Sequence, residues 1–387
     1  MISGVGDYSY HLGHALAALG SETRVITTRM PNVRLCPSSS ENTVSRPMDH
    51  WQFSEFSRIS EHLRLYKEPF VLNLQYYCPQ AYGRRLMINF LPAAVRMCFP
   101  HCRVITTIHG FWEQSSLYKL RTLPMLRFSH GVIYVDRQNE IPLKRYCGPH
   151  VSTKFIPITG NIPPVHCDSE QRRIWRSNML PPVADGDIAV AFFGGIARVK
   201  GVEYLIEAIE LVRARTNLPV RLVFVGGFHA DNVNTSYQAE IRAMIEQPER
   251  AKWIAVVQSP EAERVSQLLH ASDLAVFPFT NGVGENSGST LAALQHGLPT
   301  IVTSGLTALP SDFPVACVPA RDSQALATRI SSLCTSTIER QALRRASLDF
   351  MSRLTWHTIA EQTISYFEST CDPIRSSSLP TAGFHEH

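Results

Sequence analysis

The chain has 387 residues, room for two domains at roughly 150 residues each, and its 44% hydrophobic content suffices for two cores. With 18% charged residues, long charged disordered tracts are excluded. A net charge of +4 suits phosphate-bearing ligands, an anionic membrane surface or an ordinary solvated exterior, but lacks the dense Lys/Arg stripe of a nucleic-acid binder, so no nucleic-acid partner is expected.

The nine cysteines form no Cys-x-x-Cys pair. Cys98 and Cys102 are the closest, and nothing completes a zinc ligand set, so no metal site is expected. Scattered single cysteines suggest buried thiols in a reducing compartment. The N-terminus lacks the basic stretch and apolar core of a signal peptide, and no run of about eighteen apolar residues spans a bilayer. A cytoplasmic location follows as the expectation.

In chain order, Tyr8, Leu12, Ala15, Leu16 and Leu19 repeat at helical spacing, and Gly20 stops that helix. The short apolar runs Val25-Ile26, Val71–Leu74, Val104–Ile108 and Val132–Val135 read as buried strands. A second block is cleaner, with strands expected at Ala189–Phe193, Leu222–Val225, Trp253–Val257, Leu274–Phe277 and Ile301–Thr303. Between the first two, Val202, Leu205, Ile206, Ile209 and Val212 line one helix face. Alternating strands and helices imply parallel sheets covered on both faces, with ligands at the carboxyl ends of the strands. Ile156–Pro164, rich in Pro and Gly, reads as the interdomain hinge, Pro37–Asn42 as a flexible loop and Trp356–Phe367 as the last strong helix. Beyond Cys371 the composition predicts a fraying tail.

Chemistry concentrates at four places. Gly4-Val5-Gly6-Asp7 reads as a glycine loop before a helix, where backbone and helix N-terminus favour an anion, although Ser9 replaces the third glycine of a dinucleotide fingerprint. An α/β domain ordinarily places a strand before such a loop. The run Phe192-Phe193-Gly194-Gly195-Ile196-Ala197-Arg198-Val199-Lys200-Gly201 ends a strand in two glycines and sets Lys200 at the next helix start. An ammonium there can neutralise a diphosphate leaving group, or it is simply a solvated lysine. In Gly282–Thr290, Ser289 or Thr290 is expected to cap the helix that ends at Gly297, aiming the N–H groups of Gly288–Thr290 into the crevice. His109 closes the run Val104–Ile108 at a strand end, either as a site residue or as a satisfied structural histidine. A further stretch, Arg84–Leu91 with Val95–Met97, mixes basic and apolar residues and reads as a core helix with a basic edge or a membrane-surface contact.

In order and spacing, these segments resemble glycosyltransferase family four over about residues 3 to 367. The resemblance rests on Gly4-Val5-Gly6, Thr107-Ile108-His109-Gly110, Gly194 through Lys200-Gly201, and Asp273–Pro278 followed by Gly297-Leu298-Pro299. Leu74-Gln75-Tyr76 and Ile156–Pro163 resemble segments of bacterial members. The resemblance implies an α/β GT-B fold of two Rossmann-like domains whose parallel sheets face across a cleft. The expected division is an acceptor-side domain at 1–164, a nucleotide-sugar-binding domain at 165–355, a helix at 356–371 returning to the first domain, and a flexible tail at 372–387. It also implies a retaining, metal-independent transferase without a cofactor, acting on a nucleotide-diphosphate sugar and a glycan, lipid-linked or small-molecule acceptor. His109, Lys200 and Arg198 are the expected catalytic residues, with Gly4, Gly6, Gly194, Gly195, Glu285, Gly288, Ser289 and Thr290 on the donor.

The sequence departs from the family pattern at two points. Gly195 stands where the family has an arginine before the donor-loop lysine, with Arg198 close enough to substitute. The paired-glutamate positions hold Gly284 and Ala292, and Glu285 stands in for the first only. Acceptor contacts are expected in Gln75–Tyr82 and Phe111–Leu117. The competing readings are a non-catalytic GT-B scaffold and a nucleotide-sugar epimerase or a phosphorylase on the same fold. An NAD oxidoreductase is disfavoured by the missing third glycine.

Overall fold

The computed structural model describes residues 4–29, 42–77, 85–228, 235–305 and 308–371. Among these, residues 4–11 with Pro157–Trp356 form one compact unit, and Leu12–Ile156 with residues 357–371 form another. They are called here the C-sheet unit and the N-sheet unit.

The chain opens with α1 (Gly4–Ala18), which begins in the C-sheet unit and ends in the N-sheet unit. Next come β1 (Thr23–Thr28) and β2 (Asn42–Met48), a parallel pair of their own. The elements α2 (Phe56–Leu63), β3 (Phe70–Tyr76), α3 (Met87–Cys98), β4 (Cys102–Ile108), α4 (Ser116–Phe128), β5 (Gly131–Tyr134), α5 (Glu140–Tyr146) and β6 (Ser152–Phe155) follow. Strands β3, β4, β5 and β6 lie side by side in that order, all parallel. Apolar residues of β3–β5 and of the helices over them, among them Val104, Ile108, Val132, Leu91 and Val95, are buried as one cluster.

The C-sheet unit contains α6 (Ser169–Ser177), β7 (Ile188–Gly195), α7 (Val202–Thr216), β8 (Val220–Gly227), α8 (Thr235–Ile245), α9 (Pro248–Ala251), β9 (Ile254–Gln258), α10 (Ala262–Ala271), β10 (Leu274–Phe277), α11 (Gly288–Gln295), β11 (Thr300–Thr303), β12 (Ala316–Val318), α12 (Ser323–Thr335) and α13 (Thr337–Arg353). Its six strands are parallel in the order β12-β11-β10-β7-β8-β9. Burial on both faces explains the near-continuous apolar runs. Val190 and Phe192 of β7 and Leu222 and Phe224 of β8 pack into one cluster with α7 and α12. The alternate residues Ala189, Ala191, Phe193, Val223 and Val225 pack into the other, with α10 and α11. Fully burying a side chain such as Phe192 or Phe224 contributes roughly 2–3 kcal/mol.

The last helix, α14 (Trp356–Cys371), belongs to the N-sheet unit from His357 onward. Tyr366 Oη accepts from Val132 N at 3.1 Å and donates to Ser152 O at 2.8 Å, bridging β5 and β6.

Several expectations change. Gly4–Asp7 is no loop but the first turn of α1. Strands β2, β6 and β12 were not expected from the sequence. In the stretch expected to be a basic-edged helix, Met87, Ile88, Leu91 and Val95 are core, while Leu86, Phe90 and Met97 face outward. Cys98 and Cys317 are exposed rather than buried. Residues 37–41, 78–84 and 372–387, which include all but Asn42 of the expected flexible loop, part of an acceptor loop and the tail, lie outside the described residues, and Asn42 opens β2. No helix among the described residues is long and apolar enough to cross a membrane.

Candidate active site

The C-sheet order reverses between β7 and β10: β8 and β9 lie to one side of that pair, β11 and β12 to the other. A parallel sheet opens a crevice beyond the carboxyl ends of the strands at such a switch point. The residues after β7 and β10 are therefore the ones to inspect. They are the segments singled out from the sequence.

Strand β7 ends at Gly194 and Gly195. Gly194 has φ +139°, and a Cβ there would lie 3.3 Å from Ser289 Oγ, so the strand end faces the start of α11. The chain then makes a 3-10 turn at Arg198–Lys200 and closes it with Gly201 in the left-handed region, φ +59°. A Cβ on Gly201 would sit 2.2 Å from Pro278 O, so only glycine lets this loop press against the end of β10.

That turn delivers Lys200 beside Phe279, with Nζ 3.7 Å from the ring centroid. Among the described residues the ammonium has no hydrogen-bond or ion-pair partner. Burial lowers its pKa from 10.5 to about 8. A half-buried cation whose neighbour is an aromatic face is poised for an anion. Arg198 is not brought to the same place. Its guanidinium lies 4.8 Å from the ring of Tyr237 on α8 and makes an exposed ion pair, 3.4 Å long, with Oε2 of Glu240 on the same helix. The expectation that Arg198 doubles the lysine charge is not met in this conformation.

The cap of α11 is Ser287, not Ser289 or Thr290. Ser287 has extended backbone, and its Oγ accepts from Thr290 N at 3.5 Å and Thr290 Oγ1 at 2.9 Å. Thr290 is fully buried, so it supports the turn instead of facing the crevice. The N–H groups of Gly288 and Ser289 and the Ser289 hydroxyl have no partner among the described residues. A Cβ on Gly288 would meet nothing within 4 Å. Two amides, a hydroxyl and the positive end of α11 thus converge beside Gly194. Glu285 sits half-buried in the turn before the cap, and Ala292 is core.

Gly4 and Gly6, as the first turn of α1, form no cradle of their own. That turn is instead tied to the segment expected to be a hinge. Asn161 Nδ2 donates to Asp7 Oδ2 at 3.3 Å, and His11 Nε2 donates to Asn161 O at 3.0 Å. His11 also stacks on Trp356, whose Nε1 donates to Gly160 O at 3.1 Å. Thr159 Oγ1 donates to Leu354 O at 2.6 Å. Residues 159–161 are therefore anchored within the C-sheet unit. Nothing in the local composition signalled this, because the partners lie about two hundred positions apart in sequence.

In the N-sheet unit, His109 follows central strand β4. Its Nε2 donates to Gln75 Oε1 on neighbouring β3 at 2.8 Å, and its backbone N–H to Tyr76 O at 3.0 Å. Burial drops its pKa to about 4, so the ring is neutral near pH 7. A Cβ on Gly110 would lie 2.6 Å from Glu113 Oε1 and 2.9 Å from the Tyr77 ring, which places both side chains over this strand end. Loss of water around the Glu113 and Asp136 carboxyls raises both above the usual range, and Glu113 raises Asp136 further. Sequence reading named neither acid, although Glu113 falls within the expected acceptor loop Phe111–Leu117; Asp136 stands in no motif. A neutral imidazole among raised carboxyls suits hydrogen bonding to hydroxyls better than binding of an anion. Among the described residues no group of three or more His, Cys, Asp or Glu is arranged to hold a metal ion.

Residues 187–336 match the family model described as glycosyl transferases group 1. No curated protein sequence gives a match. Among solved structures, the chain is similar to sucrose-phosphate synthase from Thermosynechococcus elongatus, with a TM-score of 0.75, 18% identity, and coverage of 95% of this chain and 93% of that one. It is similar to Anabaena Alr3699/HepE in complex with UDP and glucose, with a TM-score of 0.67, 15% identity, and coverage of 90% and 100%. The catalytic domain of starch synthase IV from Arabidopsis thaliana, bound to ADP and acarbose, gives a TM-score of 0.67, 14% identity, and coverage of 96% of each chain. At such identities the likeness is one of fold, and the fold is GT-B.

Proposed function

We propose that this chain, a glycosyltransferase of the GT-B fold, moves a sugar from a nucleotide-diphosphate sugar to an acceptor hydroxyl, with retention at the anomeric carbon and without a metal ion. One observation carries the reading. Lys200 presents an ammonium, and α11 the amides of Gly288 and Ser289, without a hydrogen-bond or ion-pair partner among the described residues, at the two strand ends flanking the switch point. The family match over this segment supports it, as do neighbours whose structures hold UDP, UDP-glucose or ADP.

In this mechanism the donor diphosphate lies against Gly194, on the N–H groups of Gly288 and Ser289, with Lys200 as countercharge. The bond between the anomeric carbon and the phosphate oxygen breaks, and its electron pair leaves with the diphosphate. The acceptor oxygen bonds to the anomeric carbon on the same face and gives its proton to the departing phosphate oxygen. Negative charge grows on the diphosphate as the bond lengthens, so groups fixed there beforehand stabilise the transition state more than the ground state. Side chains and amides supply the countercharge, so the reaction proceeds in EDTA. His109 offers a neutral hydrogen-bonding edge to a sugar hydroxyl.

The test is thermal unfolding with UDP, GDP, ADP and their sugars, with and without EDTA. A nucleotide at a hundred times its dissociation constant stabilises by about 2.7 kcal/mol. A shift with one nucleotide class, unchanged by EDTA and lost in Lys200→Ala, is the expected result. No shift with any of them would leave a GT-B scaffold as the better reading.

A further inference from the structure

The C-sheet unit has an open cavity, of about 550 Å³, at the edge opposite Lys200. It lies at the amino ends of β10 and β11, where Ser272, Asp273, Leu298 and Pro299 line it. Its chemistry comes from Cys167, Arg172, His270, His296, Arg340 and Arg344.

Positive charge there exceeds what the protein neutralises. Arg172 pairs with Asp273 at 2.7 Å, but the same carboxylate is shared with Arg176 at 3.0 Å. Asp168, the other acid in the lining, caps α6 by accepting from Gln171 N at 2.7 Å. Arg340 donates to the carbonyls of Leu333 and Cys334. Among the described residues Arg344 reaches the carbonyls of His296 and Gly297, at 3.5 and 3.4 Å. Neither Arg340 nor Arg344 has a carboxylate within ion-pair distance among the described residues. In the same wall the buried Nε2 of His270 has no hydrogen-bond partner among the described residues.

We propose that this cavity binds the phosphate group of a small phosphorylated metabolite of sugar-phosphate size, at a site separate from the crevice holding Lys200. A phosphate monoester brings two negative charges and three acceptor oxygens, which match planar guanidinium forks. The volume admits a hexose ring behind the phosphate, and bare phosphate leaves most of it empty. Arg344 also reaches the carbonyls of His296 and Gly297, the C-cap of α11 and the residue after it, at the far end of the helix whose first turn carries the Gly288 and Ser289 amides.

Cys167, half-buried in the lining, reports occupancy directly. The full chain is alkylated with iodoacetamide and Cys167 is followed by peptide mass spectrometry, with exposed Cys98 as internal control. Glucose 6-phosphate at ten times its dissociation constant is expected to slow Cys167 labelling roughly tenfold, leaving Cys98 unaffected. Glucose alone is expected to do nothing. Equal protection by inorganic phosphate would identify the free ion, not the ester, as the source of the recognised group. Protection is expected to vanish in Arg344→Gln, whose exposed side chain the fold tolerates losing, and to persist in Lys200→Met. Calorimetric titration of glucose 6-phosphate into wild type and Arg344→Gln reads the same contrast should the thiol label too slowly to time. No protection and no heat at millimolar glucose 6-phosphate or phosphate would overturn the proposal, as would equal protection by glucose, undiminished binding in Arg344→Gln, or loss of binding in Lys200→Met.

Discussion

Replacing Lys200 by Met removes the ammonium and keeps an apolar stem against Phe279. In the ligand-free protein the charge is held at a disadvantage, its pKa lowered by burial from 10.5 to about 8. At 1.36 kcal/mol per pKa unit the shift is worth at most about 3 kcal/mol at pH 7. Water reaching the half-buried side chain, and loss of roughly 0.5–2 kcal/mol of cation–π attraction, reduce the net gain. Lys200→Met is therefore expected to be more stable than wild type by about 1–2 kcal/mol at pH 7. Between pH 8 and 10.5 the unfolded chain binds more protons at this lysine than the folded one, so wild-type stability rises with pH there and the advantage of the variant shrinks. Turnover is expected to fall roughly a hundredfold or more, the scale of one lost transition-state donor. Urea denaturation at pH 7 and pH 10, set beside initial rates, reads all three. A variant less stable at pH 7, an advantage unchanged at alkaline pH, or intact turnover would refute the reasoning.

Other expectations follow from the same geometry. In wild type, kcat/KM should fall as pH rises through about 8, where free Lys200 loses its proton, and this alkaline limb should be missing from the residual activity of Lys200→Met. Gly201→Ala puts a Cβ 2.2 Å from Pro278 O at φ +59°, so unfolding free energy should drop by about 2–3 kcal/mol; an unchanged denaturation midpoint would contradict the packing described. His109 and His296, both buried, and half-buried His130 are neutral with pKa values near 4, so their contribution is intact above about pH 6.5 and lost as pH falls towards 4. Near pH 5 up to three protons are taken up on unfolding, a slope of about 4 kcal/mol per pH unit, which urea titrations across pH 4.5–6.5 would test. His109→Ala should lower kcat/KM while leaving nucleotide-induced stabilisation intact; loss of both would give His109 a structural role instead.

The doubly buried strands were the most legible part of the chain. Leu274–Phe277 is the same in pattern and in structure, and Ala189–Phe193 lies inside β7. Apolar continuity over that length leaves few alternatives. The strands that escaped notice lack it. In β6, Ser-Thr-Lys-Phe is an edge strand with exposed positions; β2 carries Arg46 and Pro47; β12 is three residues long. Within the site, Lys200 was legible because a lysine after a glycine-ended strand has few places to go. The cap of α11 was not, since Ser287, Ser289 and Thr290 all carry the right hydroxyl, and the choice fell to the extended backbone at Ser287. Arg198 was misplaced because its partner, Glu240, is 42 residues away and invisible to local pattern. Gly4 and Gly6 looked like a loop by composition, yet the helical periodicity that begins at Tyr8 extends back through them.

The way each unit is threaded has a consequence for how the chain comes to be folded at all. The C-sheet unit takes its first turns from residues 4–11 and the rest from Pro157–Trp356, while the N-sheet unit runs from Leu12 to Ile156 and is completed by residues after Trp356. Tyr366 closes the β5–β6 edge through hydrogen bonds to Val132 and Ser152, so during vectorial synthesis that edge stays open until the chain has been made past Tyr366. His11, in turn, waits for Asn161 and then for Trp356. No contiguous fragment contains either unit whole without carrying most of the other. Cutting the chain at residue 156 separates Tyr366 from Val132 and Ser152, and His11 from Asn161 and Trp356.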